Sequence, residues 1–274
     1  MSEFTHLTDE RLNRVDHPVS DGIQQSINGE GLTILPALID PHVHFRTPGQ
    51  EYKEDWMSGS RAAISGGVTE VFDMPNNQPP ITSVTTLHKK TDRINAQLKK
   101  SEIPLRYHLF FGATPDNLKE IEKVADEIIG IKLFMGSSTG NLLVERKEHQ
   151  ERIFKLARER NLIVALHAED ESVMKSQAKK FKNDKSPEIH SVIRDKSAAV
   201  AAVKQAIELV RKYGTSIYLL HVSTAEEINL ISQAKQEGLP VYAEACPHHL
   251  FSCTACKSRG KRVSIPGMPD GASP

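Results

Sequence analysis

The sequence predicts an α/β fold, and within that class a (β/α)8 barrel of the TIM type that lacks its eighth strand. Seven short apolar segments recur along the 274 residues, with segments of helical periodicity between them. The apolar segments are apolar on both faces, as parallel strands covered by helices are. Polar residues stand at the carboxyl ends of the strands, where barrels of this type build their sites. No G-x-G-x-x-G motif follows the first strand, which disfavours a dinucleotide-binding open sheet.

The elements follow one another in the order that a barrel requires. The predicted strands are 33–45, 68–74, 105–113, 130–136, 162–169, 216–222 and 240–245. The predicted helices are 53–67, 83–100, 116–129, 147–161, 197–214 and 224–238. Gly214 is expected to end the fifth helix, and Gly238 the sixth. Thr224 and Glu227 have the spacing of a capping box, which predicts the start of the sixth helix.

Composition limits the possible partners of the chain. It carries 35 basic and 35 acidic residues, so no net field attracts it to nucleic acid or to an anionic membrane. Aromatic residues make up 5%, too few for a base-stacking surface, and three cysteines suit a reducing compartment. The first residues are polar and no apolar run is long enough to span a bilayer. We therefore expect a cytoplasmic protein that acts on a small molecule.

Histidines and one lysine stand at the carboxyl ends of several predicted strands. His42 and His44 alternate, so both side chains should project from one face of the first strand. His167 ends the fifth strand and His221 the sixth. Lys132 lies inside the apolar fourth strand, and lysine is almost never fully buried without a partner. The five side chains are expected to converge at one mouth of the barrel.

The convergence of imidazoles and an amine indicates a particular metal chemistry. Imidazole nitrogens suit zinc and its neighbours in the periodic table. A buried lysine becomes neutral, and a neutral amine can add carbon dioxide to form a carbamate. The two carbamate oxygens can bridge two ions at the spacing of two-metal sites, about 3.5–4 Å. A carbamate on Lys132 would also supply the negative charge that the four histidines lack.

The motifs at the strand ends resemble those of dihydroorotases, within the amidohydrolase superfamily. The resemblance runs in order from about residue 35 to residue 251, through DPHVHFRTPG, DMPNNQPP, GIKLFMGSSTGN, LHAED, LLHVST and CPHHL. It implies that His42 and His44 bind one zinc ion, that carboxylated Lys132 bridges, and that His167 and His221 bind the other. It also implies that the chain interconverts N-carbamoyl-L-aspartate and (S)-dihydroorotate in de novo pyrimidine biosynthesis.

Two residues are expected to bind the substrate carboxylate. The resemblance assigns this role to Arg46 and Asn76. Arginine suits planar carboxylates, and Arg46 lies two residues beyond His44, on the same face if the strand continues. Hydantoinases, dihydropyrimidinases and allantoinases resemble the same scaffold, but their substrates lack this carboxylate, and Arg46 favours dihydroorotate. A barrel remnant that only binds a partner stays open as a third interpretation, and a homodimer is a possible assembly.

The end of the chain departs from the family pattern. The family has a catalytic aspartate after the eighth strand, in a motif close to T-D-x-A-P-H, which this sequence does not contain. Asp270 stands in a turn-like context and is not assigned that role. We therefore expect no catalytic residue of this kind, open sheet edges and a loss of about 10²–10⁴-fold in rate.

The expected organisation has three parts. Residues 1–30 are a remnant of an N-terminal β-sandwich or disordered, 31–251 form a metal-dependent hydrolase barrel, and 252–274 form an irregular basic tail. Cysteines and histidines near the end offer an alternative structural zinc site: Cys246, His248, His249, Cys253 and Cys256. A single C-x-x-C is weak support for it, and the family pattern already accounts for CPHHL.

Overall fold

A computed structural model of the chain describes most of the predicted barrel. It describes the backbone of 14–18 and 24–28 and the residues 36–137, 142–182, 189–247 and 249. The predicted tail 252–274 lies outside the described residues, as do Asp270, His248, Cys253 and Cys256. The division of the chain into three parts stays a prediction.

Seven parallel strands form the main sheet, and they are hydrogen-bonded in the order of the sequence. This arrangement, with helices between the strands, confirms the predicted (β/α)-barrel class, with seven strands in the described part of the chain. The strands are β3 (Leu38–Val43), β4 (Val68–Asp73), β5 (Arg106–Gly112), β6 (Gly130–Phe134), β7 (Ile163–His167), β8 (Ile217–Leu219) and β9 (Val241–Ala243). Ahead of them, β1 (Arg14–Pro18) and β2 (Gln24–Asn28) form an antiparallel pair.

Eight helices are described, and the longer ones connect consecutive strands. They are α1 (Trp56–Ser65), α2 (Val84–Ser101), α3 (Leu118–Lys123), α4 (Lys147–Glu159), α5 (Glu171–Lys180), α6 (Ile189–Ile193), α7 (Lys196–Tyr213) and α8 (Ala225–Gln236). The predicted capping box is confirmed, because Thr224 Oγ1 accepts from the Glu227 N–H while the Glu227 carboxylate accepts from the Thr224 N–H. Gly214 ends α7 in the left-handed region, at φ 68°. No described helix has the length and apolarity to cross a membrane.

Three helices differ from the prediction: α3 ends early, and neither α5 nor the short α6 was predicted. α3 ends at Lys123, six residues before the predicted end, although Ile121 and Val124 are fully buried as the spacing requires. The Ile129 N–H already donates to Leu109 O at 3.0 Å, so the chain must leave the helix to reach the sheet. α5 was not predicted; its start is marked by Asp170, whose side chain accepts from the Val173 N–H at 2.9 Å.

The main core lies between the strands and the surrounding helices. Trp56 of α1 is fully buried, and its ring packs edge-on against Phe45 and Tyr107, with centroid distances of 4.8 and 5.2 Å. A second, smaller cluster lies on the inner face of the sheet, where Phe110 and Ala165 pack against Met74 and Leu220. Because the helix side supplies most of the apolar burial, the inner face is free to carry polar groups at the strand ends.

Candidate metal centre

Four imidazole rings meet at the carboxyl end of the sheet. His42 lies at the end of β3 with His44 just beyond it, His167 ends β7, and His221 lies two residues after β8. The ring centroids of His42 and His44 are 5.1 Å apart, and those of His167 and His221 are 4.9 Å apart. The two pairs adjoin, since the His42 and His221 centroids are 6.0 Å apart. Residues far apart in the sequence are thus gathered by parallel strands of one sheet.

The nitrogen atoms within each pair are spaced as two ligands of one ion would be. Two ligand atoms at about 2.0–2.1 Å from a tetrahedral ion are separated by roughly 3.3 Å. His42 Nε2 and His44 Nε2 are 3.2 Å apart, and His167 Nδ1 and His221 Nε2 are 2.9 Å apart. Each pair therefore fits one zinc ion. Among the described residues, no group of three His, Cys, Asp or Glu side chains is placed to hold one ion. The predicted lysine carbamate is a ligand of another kind.

Lys132 supplies a group of that other kind. Its side chain is buried in β6, with 1% of the residue exposed, and its Nζ lies 4.6 Å from the centroid of the Phe134 ring. Burial lowers the pKa of Lys132 to about 7, although the negative charge of Glu244 acts in the opposite direction. A large share of this amine is neutral near pH 7, which is the form that adds carbon dioxide. The amine fits the bridging role that the sequence predicts for it.

Three of the histidines, His44, His167 and His221, are also held in the neutral form that binds metals. Burial lowers the pKa of His221 to about 3, and the charges of His167 and Lys132 lower it further. Burial is also the main cause that lowers the pKa values of His44 and His167. An imidazole that stays neutral keeps a lone pair available for a cation.

Two glutamates behind the histidines orient the rings, and sequence reasoning did not assign them a role. Glu244 Oε1 lies 2.5 Å from His42 Nδ1 and accepts from the His221 N–H at 3.1 Å. Glu169 Oε2 lies 2.8 Å from His167 Nε2. A carboxylate that accepts the proton on one ring nitrogen leaves the other nitrogen as a free lone pair. That second nitrogen is His42 Nε2 in one case and His167 Nδ1 in the other, the atoms that face their partner histidines.

The glutamates are themselves held in place. The Tyr218 hydroxyl donates to Glu244, and Arg194 donates to Glu169 and to the Ser137 carbonyl. Burial alone would raise the pKa of Glu244, but the hydrogen bonds from His42 and Tyr218 lower that pKa below its usual value. A signal for both glutamates exists in the sequence. Each follows a strand at its carboxyl end, as the histidines do.

Arg46 and Asn76 lie in the loops that follow β3 and β4. Both residues are half-buried. The strand-alternation argument for Arg46 was wrong, because β3 ends at Val43 and Arg46 has φ 42° in the left-handed region. His221 has a similar φ of 43°. Such conformations cost about 1–3 kcal/mol and concentrate at functional sites. After burial and the charge of His42, the positive charge of Arg46 also lowers the pKa of His44. The carboxylate-binding role of both residues stays a prediction.

The alternative zinc site near the end of the chain is only partly described. Cys246 is half-buried, and burial raises the pKa of its thiol, which disfavours the thiolate that binds zinc. The two remaining cysteines of that set lie outside the described residues, so the alternative stays untested.

Comparison with known proteins finds dihydroorotases among the similar sequences. The chain is 33% identical to a dihydroorotase of Methanosarcina mazei over 83% of its own length and 50% of the relative's. It is 34% identical to a dihydroorotase of Pyrococcus furiosus, over 90% of its length and 52% of the relative's. The chain thus spans about half the length of the curated relatives it matches.

A solved structure gives the same picture of the fold. The L-hydantoinase (dihydropyrimidinase) from Arthrobacter aurescens superposes with a TM-score of 0.76 and 25% identity, over 88% of this chain and 56% of that one. The model of the amidohydrolase family matches residues 33–264, a range that includes every strand of the main sheet and all five predicted metal ligands. The chain belongs to the amidohydrolase family.

Proposed function

We propose that the chain is a zinc-dependent cyclic amide hydrolase that interconverts N-carbamoyl-L-aspartate and (S)-dihydroorotate, a step of pyrimidine biosynthesis. The observation that carries the proposal is the pairing of four imidazoles around the mouth that contains buried Lys132. The dihydroorotase relatives support the choice of reaction. The proposal concerns the chain as given, which spans about half of those relatives.

The proposed centre holds two zinc ions. His42 and His44 would hold one, His167 and His221 the other, and carboxylated Lys132 would bridge them. When bound, such ions would supply a Lewis acid for the ring amide carbonyl and would lower the pKa of a bound water molecule towards about 7. Glu244 and Glu169 keep the ligating nitrogens aimed at the centre. No described residue is assigned the role of transferring a proton to the leaving nitrogen.

The substrate's carboxylate is the second part of the proposed recognition. Arg46 would bind it through two parallel N–H···O bonds, and Asn76 would donate a third hydrogen bond through its amide. Both residues lie in loops at the carboxyl end of the sheet, the end at which the histidines gather. The carboxylate would fix the ring so that the amide carbonyl faces the metal centre.

A substrate panel tests the proposed reaction. The purified chain with added zinc should hydrolyse dihydroorotate in preference to dihydrouracil and allantoin. Arg46→Met should raise the KM for dihydroorotate by about 10- to 100-fold, since a hydrogen bond to a charged group contributes about 1.5–3 kcal/mol. The matched control is Arg61→Met, on the exposed surface of α1, which should leave KM unchanged. Equal turnover of all three rings would contradict the proposal.

A hydantoinase-like activity is the second candidate. The similarity to the L-hydantoinase fold favours it, because that enzyme matches 88% of the chain. This candidate would be established instead if the chain preferred dihydrouracil or a hydantoin, and if Arg46→Met left the KM for that substrate unchanged. A scaffold that only binds a partner would retain no zinc, so metal content measured by emission spectrometry separates it from both enzymes. A cytoplasmic location and a homodimer also remain predictions.

A further inference from the structure

A buried ion pair lies beside the metal centre without contacting it. Lys90 of α2 and Asp73 at the end of β4 are both 0% exposed, and Lys90 Nζ lies 2.5 Å from Asp73 Oδ2. Burial lowers the pKa of Lys90, whereas the charge of Asp73 opposes that shift. Replacing such pairs by well-packed neutral residues is often neutral or stabilising, so folding alone does not explain them.

The pair connects the two loops that carry the predicted carboxylate ligands. Asp73 Oδ1 accepts from the Phe45 N–H at 2.9 Å, immediately before Arg46. Lys90 Nζ donates to Met74 O at 3.0 Å and to Asn77 Oδ1 at 2.9 Å. Asn77 directly follows Asn76. Each of the two predicted ligands thus adjoins a residue that the ion pair holds.

The two loops are also packed directly against each other. The Met74 N–H donates to Val43 O at 3.0 Å, and the Gln78 N–H donates to Pro48 O at 3.2 Å. Gly49 has φ 94°, and a Cβ added there would lie 1.9 Å from Gln78 O. Because even a methyl group does not fit between the loops at this point, the two backbones are in direct contact and their separation is constrained.

We propose that Asp73 and Lys90 are positioning residues for the carboxylate pocket, which set the distance between Arg46 and Asn76 by joining their loops. This inference rests on the proposed function, because the pocket is the one assigned there to the substrate carboxylate. The pair acts through the backbone at Phe45 and through Met74 and Asn77, and it touches no predicted metal ligand. Its loss should weaken binding of the anionic ring without removing zinc.

The first test is the double variant Asp73→Asn/Lys90→Met, which removes both charges together because either single change leaves an unpaired buried group. We expect the KM for dihydroorotate and the Kd for orotate, a ring with the same carboxylate, to rise about tenfold or more. The value of kcat and the zinc content should stay within about twofold of the parent. Thr215→Val is the matched control, because it removes the buried hydrogen bond to Phe154 O at the opposite end of β8.

A second variant leaves the ion pair intact. Gly49→Ala pushes the loops apart at Gln78 and should also raise the Kd for orotate about tenfold. Gly67→Ala is its control, since Gly67 has a comparable φ of 81° but no atom within 4 Å of an added Cβ. This comparison separates the spacing of the loops from backbone strain, and it does not depend on the folding of the double variant.

The possible results separate this inference from the proposed function. Failure of the parent chain to bind orotate would overturn both. If the parent chain binds orotate and the Kd is unchanged in the double variant or in Gly49→Ala, the positioning role alone is overturned. Loss of zinc together with orotate in the double variant would also overturn it, because the pair would then serve the metal centre. A raised Kd with zinc retained, and no change in either control, supports it.

Discussion

A carboxylate sets the tautomer of two of the predicted metal ligands, His42 and His167. The Nδ1 of His42 faces Glu244 and the Nε2 of His167 faces Glu169, so the two rings present different nitrogens to the centre. The difference follows from where each glutamate stands in the chain. Glu169 lies two residues after its histidine, whereas Glu244 comes from another strand, 202 residues away. Each ring must turn to meet its own carboxylate.

Removal of one of these carboxylates should weaken metal binding. Glu244→Gln replaces the charged acceptor of His42 with a neutral amide, and changing such a partner of a metal ligand typically lowers metal affinity about 10–100-fold. Competition with a zinc chelator measures the change. The matched control is Glu237→Gln on the surface, where Glu237 pairs with Arg211 at 2.8 Å. Equal zinc affinity in both variants would contradict a role for Glu244 in orienting His42.

Lys132 provides a second test at the residue scale. Lys132→Met keeps the buried volume but removes the amine, so we expect fewer than two zinc ions per chain and no carbamate signal. Carbon NMR after incubation with ¹³C-bicarbonate detects the carbamate directly. The double variant Asp73→Asn/Lys90→Met serves as a comparison, because Lys90 is equally buried but paired with Asp73, and this variant should leave the carbamate signal in place. A signal that survives Lys132→Met would refute the carbamate assignment.

The close approach of β6 and β7 shows how the elements set the position of Lys132. Gly130 begins β6, and a Cβ added there would lie 2.7 Å from Ile163 O and 3.0 Å from the Phe110 ring. Lys132 pairs with Ala165 in the same register that pairs Phe134 with His167. The separation between these two strands therefore decides how far the lysine stands from the β7 histidine.

Gly130→Ala should destabilise the fold by about 1–3 kcal/mol, because the strands must separate to admit the methyl group. Thermal unfolding followed by circular dichroism measures the loss. Gly66→Ala is the control; its added Cβ meets only ordinary contacts at 3.5 Å or more, and we expect a change within about 0.5 kcal/mol. Equal unfolding temperatures for the two variants would contradict the close-packing argument.

Most elements could be predicted because their signals are local. Strands appear as short apolar runs, and α8 is marked by a capping box that four residues define. The early end of α3 could not be predicted, since Ile129 leaves the helix to meet Leu109 on a strand formed earlier in the chain. A helical pattern reports which face is buried, but not where the sheet requires the chain to turn.

At the scale of the whole molecule, the metal centre connects strands that are not neighbours. β3 and the residue just beyond it carry one pair of predicted ligands, while β7 and the loop after β8 carry the other. The sheet curves enough for Glu244, after β9, to reach His42 at the end of β3. The two predicted ions would therefore stabilise the curvature of the sheet in addition to their role in the proposed reaction.

Removal of zinc should lower the thermal stability of the chain. A ligand present at 100 times its Kd stabilises the folded state by about 2.7 kcal/mol, which corresponds to a shift of several degrees in Tm. Unfolding with and without a chelator measures this shift. His42→Asn/His44→Asn should show a smaller response to the chelator than the parent. An equal shift in both would mean that the chelator acts elsewhere.

The sequence by itself determined the fold class and the positions where polar groups end the strands. These properties follow from periodicity and from the rule that parallel strands present their carboxyl ends together. Only the tertiary structure showed that Glu244 and Glu169 orient the histidines, that Arg46 has left the strand, and that Asp73 and Lys90 join two loops. Apart from the contact of Glu169 with His167, these features depend on distances between residues that are far apart in the sequence. No local pattern of residues encodes such distances.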